Sequence, residues 1–182
     1  MPTDYTVTQK VIHWLMGLLI MLDLFVAQKF GGFLEEAERL QSRMDHATLG
    51  TMLATLLLLR FFFRWRSGAP ALPEDGMSGW QIMLAKVVHV GLYVAMVLLL
   101  GTGMITATQA TDPILIFQSI EITVGQMSDE NFVFLRQFHD WMTWIMIGLI
   151  GLHVVGALYH QFVIKDRILV KMLKFWTSEK TA

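Results

Sequence analysis

Apolar residues fall into four long runs separated by polar connections. The first extends from Val11 to about Gln28, with Asp23 as its only charged residue. The second opens at His46, is uncharged to Leu59, and then passes Arg60 and Arg64, whose long side chains can snorkel to an interface. The third lacks Lys, Arg, Asp and Glu from Val87 to Thr111, and the fourth lacks them from Trp141 to Ile164. A helix rising ~1.5 Å per residue needs about 20 apolar residues to cross a ~30 Å hydrocarbon core. The pattern therefore predicts an all-α chain, an integral membrane four-helix bundle. Beyond the fourth run, Lys165, Asp166 and Arg167 mark an end, and the tail through Lys171, Lys174 and Trp176 predicts an amphipathic helix lying at the interface.

Composition agrees, with 54% hydrophobic residues and a mean hydropathy of +0.52. The 182 residues leave room for a single four-helix domain over 1–182 and for no separate catalytic domain of ordinary size. The stretch SGAPALPEDGMSG, with Pro70 and Pro73, is a loop between the second and third spans. The other connections run from Gly31 to Asp45 and roughly from Gln109 to Gln137, without repeats.

A net charge of -1 says little about partners, because the bases are segregated. Lys10, Arg60, Arg64, Arg66, Lys86, Lys165, Arg167, Lys171, Lys174 and Lys180 share one side, against Lys29, Arg39, Arg43 and Arg136 on the other. The positive-inside bias then places both termini in the cytoplasm. The first ten residues carry one base and no small-residue cleavage site follows, so the first span is expected to be retained.

All six histidines, His13, His46, His89, His139, His153 and His160, lie in or at the ends of these spans. Ionisable groups at such depth point to function. Cysteine is absent, which excludes disulfides, thiolate haem ligation, Cys-ligated clusters and CxxCH attachment. His139 and His153 are fourteen residues apart, which returns them to nearly one helix face about 21 Å apart along the axis. One helix can thus carry a ligand at each of two membrane depths. Alternating span directions set His46 beside His139 in the outer half, a natural axial pair. His13, His89, His153 and His160 share the inner half, and spacing favours His153 as one member of a second pair.

Imidazole is a common haem ligand where thiolate and thioether are not used, and two imidazoles leave no open site on the iron for dioxygen. That argues for electron transfer. Gly17, Gly50, Gly148, Gly151 and Gly156 let a flat macrocycle approach a helix, although such glycines equally serve helix packing. A zinc site lacks its HExxH or Cys/His cluster, and the thirteen methionines read as packing. Asp23 either pairs within the bundle or relays protons.

Several motifs together resemble the bacterial cytochrome b561 family of four-helix, di-haem membrane cytochromes, which includes the superoxide oxidase type. They are IHW at Ile12 to Trp14, His46 opening the second span, KVVHVGLY around His89, and FHDW and GLHVVGALYH in the fourth span. The likeness covers nearly the whole chain. It implies two haem b groups, with His46 and His139 on the outer one and His13 and His153 on the inner one. It also implies a ubiquinone site on the inner side, where His89 and His160 are left over and Lys86 lies nearby. Imidazoles beside the quinone carbonyls would supply hydrogen bonds and protons.

The expected function is electron transfer between a periplasmic one-electron donor, superoxide among the candidates, and the membrane ubiquinone pool. The expected setting is the bacterial inner membrane, with the lipid bilayer, ubiquinone and a periplasmic donor or acceptor as partners and no nucleic acid. Glu35, Glu36, Glu38, Asp45, Asp112, Glu121, Asp129 and Glu130 make the outer connections acidic, which repels an anion at long range unless Arg39, Arg43 and Arg136 offset it locally. An acidic face suits a cationic protein, so the alternative is a quinol-oxidising cytochrome that serves a periplasmic protein or forms the membrane subunit of a dehydrogenase. A haem-free membrane scaffold is the third reading.

Overall fold

A computed structural model describes residues 4–31, 34–68, 70, 77–166 and 168–175. The expected loop residue Pro73 and the tail residues Arg167, Trp176 and Lys180 lie outside the described residues. Four long helices dominate: α1 (Val7–Ala27), α2 (Glu36–Ser67), α3 (Gly79–Thr108) and α4 (Asp129–Tyr159). All four are long and apolar enough to cross a membrane, and the chain is an all-α membrane bundle.

Local signals explain the boundaries. Thr6 and Gln9 form a reciprocal capping box at the start of α1, with Thr6 N–H donating to Gln9 Oε1 at 3.0 Å. Glu36 and Glu38 open α2, and Asp129 and Glu130 open α4, where carboxylates meet the positive end of the helix dipole. At 32 residues α2 is about 48 Å long, so it outruns the hydrocarbon core. It begins ten residues before the apolar run at His46, because a polar helical extension leaves no mark in hydropathy.

Helices α1 and α2 pack as one hairpin and α3 and α4 as another, with α2 against α3 joining them. Neither α1 with α4 nor α2 with α4 is among the closely packed pairs. The buried core is small: Ile12, Met16, Leu57, Ala95, Met96 and Met146. Leu18, Phe25, Leu58 and Trp144 instead point outward, each more than half exposed, as a lipid-facing surface requires.

The two ends of the bundle differ. At the terminal end, the buried Lys10 joins Asp4 and the Lys174 carbonyl, each at 3.0 Å, and Trp14 Nε1–H donates to the Met172 carbonyl. These bonds tie a short helix α5 (Ile168–Leu173) onto α1. Of the expected amphipathic tail, the part from 168 to 173 is therefore helical.

At the loop end, a two-stranded ribbon, β1 (Leu115–Ile116) and β2 (Ile120–Glu121), pairs antiparallel. The sequence pattern predicts only a connection there. The ribbon turns through Phe117, Gln118 and Ser119, the first two with φ of 51° and 55°, the left-handed region that Gly and Asn usually supply in turns. Its Phe117 N–H donates to Thr48 Oγ1 of α2 at 3.0 Å, which docks the ribbon two residues beyond His46.

Candidate functional site

Helix α4 carries His139 and His153, and each meets a histidine from the opposite hairpin. His46 of α2 faces His139 with ring centroids 6.1 Å apart and planes at 84°. His13 of α1 faces His153 at 6.0 Å and 75°. Both contacts span helix pairs whose backbones do not pack closely. Met146 sits seven residues from each α4 histidine and is 1% exposed, so a buried apolar layer separates the two levels.

At the loop-end level, a polar side chain stands against Nδ1 of each ring. Thr102 is buried on α3 and its single hydroxyl proton goes to the Leu98 carbonyl at 2.7 Å. Its oxygen lies 2.9 Å from His139 Nδ1, in hydrogen-bond contact with that nitrogen. Asp23 Oδ1 stands 2.7 Å from His46 Nδ1, an ion-pair contact when that ring is protonated. A proton on Nδ1 of either ring leaves the Nε2 lone pair for a metal. A Cβ built on Gly103 would come within 3.2 Å of His139 Cε1, so only glycine lets this ring lie so close to α3.

At the terminal-end level His89 joins the group, 5.1 Å from His153 by ring centroids. Its Nδ1–H donates to the Ala85 carbonyl at 2.6 Å, and the residue is exposed. His160 instead hydrogen-bonds Asp166. It opens a π-helical turn (His160–Ile164) that closes on Lys165 in the left-handed region, φ 62°. Lys86 is exposed. His89 and His160 are thus held by different partners, one by Ala85 and one by Asp166. Arg60 donates from Nε to Tyr93 Oη at 2.8 Å and lies over that ring, 5.7 Å from its centroid.

The donor set can be tested against a haem. Two imidazole nitrogens, each about 2 Å from one iron, put their ring centroids roughly 6 Å apart. The His46–His139 and His13–His153 pairs match that separation, whereas His89–His153 is shorter and joins the tightly packed α3 and α4. Nothing of the protein lies within 4 Å of a Cβ added at Gly17, Gly50, Gly148, Gly151 or Gly156. These five glycines therefore do not serve close helix packing here; the tightly packed ones are Gly91 and Gly103. The residues present fit a flat bis-imidazole cofactor at each level.

Sequence reading found every histidine, but it missed Thr102 and Gly103. A threonine within a span ordinarily bonds its own i−4 carbonyl, as Thr102 also does, so its second bond leaves no trace in one sequence.

Comparison with known proteins converges on the same chemistry. A profile described as Prokaryotic cytochrome b561 matches residues 4–175. The Escherichia coli protein "Cytochrome b561 homolog 2" is 25% identical, over 94% of this chain and 92% of its own length. "Cytochrome b561 homolog 1" of the same organism is 25% identical over 93% of this chain and 96% of its own. "Probable superoxide oxidase CybB" of Yersinia pestis is 25% identical over 95% and 97%. The chain belongs to the prokaryotic cytochrome b561 family, and is a multi-pass bacterial membrane cytochrome of the haem b type that works in electron transfer.

Proposed function

We propose that this chain holds two haem b groups and passes electrons from a one-electron donor outside the inner membrane, with superoxide among the candidates, to ubiquinone on the cytoplasmic side. The observation that carries this reading is the presence on α4 of two histidines, each facing a histidine of another helix at haem-ligand separation. His46 and His139 would hold one haem and His13 and His153 the other. Both termini and α5 would face the cytoplasm, following the base-rich side of the sequence.

Haem iron, when bound, supplies reversible one-electron carriage. The protein supplies placement. Asp23 and Thr102 each set an oxygen beside Nδ1 of a loop-end imidazole, and Met146 and its apolar neighbours would exclude water between the levels. On the cytoplasmic side His89, with Nδ1–H on Ala85, presents Nε2 as an acceptor; once protonated there, it can donate to a quinone oxygen. His160 and Lys86 are the further proton-bearing groups of that side.

Superoxide must approach an acidic face. A loop-end cavity of about 110 Å³, lined by Glu36, Arg39, Leu40, Arg43 and Asp112, gathers two guanidinium groups, one of them 3.4 Å from Asp112. Glu36 and Asp112 offset those two charges, so a small anion would be met there by the guanidinium N–H groups rather than by a net positive charge. The surrounding carboxylates favour the second reading, a quinol-oxidising cytochrome that serves a cationic protein partner or a dehydrogenase. Mixing the oxidised protein with superoxide and a soluble quinone separates the two. Rapid haem reduction whose rate depends on salt, followed by quinol formation, is expected. No reduction, or a rate indifferent to salt, would favour the protein partner.

A further inference from the structure

The two histidine levels lie in opposite electrostatic surroundings. At the loop end the Asp23 carboxylate is inside a span, its side chain 14% exposed, and its Oδ1 is 2.7 Å from His46 Nδ1. At the terminal end the Arg60 guanidinium lines a small cleft with Gln9 of α1 and Tyr93 of α3. Tyr93 keeps it there, through the 2.8 Å hydrogen bond and the ring beneath it. A charge within a span is costly, so its placement calls for a reason beyond packing.

On the haem-ligand reading above, we propose that Asp23 is a positioning residue that lowers the reduction potential of the loop-end centre below that of the terminal-end centre, and so directs electrons from the loop end to the terminal end. Adding an electron to a centre makes it more negative. A carboxylate one imidazole away opposes that change and stabilises oxidised iron. Thr102, in contact with Nδ1 of His139, brings no such charge. Arg60 acts in the opposite sense at the other level, because a cation stabilises the reduced state. The two fixed charges together make the inward step downhill. The step moves one electron, oxidising the loop-end centre and reducing the other, and no bond forms or breaks.

Asp23→Asn tests this directly, since the amide keeps the shape and an oxygen acceptor but removes the charge. The purified full-length protein is titrated spectroelectrochemically, with its loop-end centre identified as the one missing from His139→Ala. The wild type should show the loop-end centre as the lower of two. Asp23→Asn should raise it by at least tenfold in the reduction equilibrium, about 59 mV for one electron, and leave the other centre in place. Asp23→Glu should restore the low value. An unchanged loop-end centre in Asp23→Asn with both haems present overturns the inference, while the two haems leave the ligand assignment standing. A wild type with fewer than two haems overturns that assignment instead. Should Asp23→Asn lose its loop-end haem, Asp23→Glu decides: haem recovered at low potential supports the inference, and haem recovered at raised potential overturns it.

Discussion

The loop-end and terminal-end histidine pairs have nearly the same ring separation but differ in everything around the rings. His46 has the Asp23 carboxylate 2.7 Å from its Nδ1, His139 has the Thr102 hydroxyl 2.9 Å from its Nδ1, and Gly103 admits the His139 ring against α3. His13 and His153 share their level with a third imidazole, His89, and their end of the bundle with the cation of Arg60. The first arrangement suits a centre that exchanges electrons only. The second keeps a spare, exposed imidazole within reach of the centre, as coupling electrons to protons demands.

The sharpest way to break this contrast is to remove one ligand at a time. His139→Ala should lose the loop-end haem and abolish reduction by an external donor, yet keep one haem reducible by quinol. His153→Ala should lose the other haem and quinone reduction instead. Absorption spectra and haem content of the two variants check both outcomes, and identical losses would erase the distinction.

Next in size is His89→Ala. If His89 serves protons rather than iron, both haems remain and reduction by the external donor is intact, while quinol formation slows by roughly 10²-fold or more, the usual scale for a lost general acid or base. Stopped-flow traces with and without quinone separate the two steps. Loss of a haem in this variant would move His89 into the ligand set.

Gly103→Ala comes third. Its added methyl meets His139 Cε1 at 3.2 Å, so the ring must shift by a few tenths of an ångström, and part of the loop-end haem should be lost while the other is unaffected. Thr102→Val should have the smallest effect. Valine keeps the shape but removes the hydroxyl beside His139 Nδ1, and the loss of one hydrogen bond, about 0.5–1.5 kcal/mol, should weaken haem retention at the loop end on dilution. A low-spin electron paramagnetic resonance signal adds a further check. Ligand planes at 84° and 75° predict strongly anisotropic spectra from both centres, whereas near-parallel planes would give ordinary rhombic ones.

Much of this organisation is legible in the amino-acid order. Four apolar runs announce four helices, and the fourteen-residue spacing on α4 announces two levels, because both follow from helix periodicity alone. The pairing of His46 with His139 follows from alternating direction. Depth does not choose the partner of His153, since His13, His89 and His160 share the inner half; His13 comes from the resemblance. The role of Asp23 was half visible: its depth demanded a partner, and only the three-dimensional arrangement shows that the partner is His46. The β1–β2 ribbon was invisible, because its turn uses Phe117 and Gln118 where glycine or asparagine would have signalled it.

The central claim is that helix α4 supports a cofactor at each of two depths. The most direct measurement is the haem-to-protein ratio of the purified wild-type chain, by pyridine haemochrome against quantitative amino-acid analysis. The account predicts two haem b per chain, falling to one in His139→Ala. One or none in the wild type, from cells supplied with ample haem precursor, would contradict it.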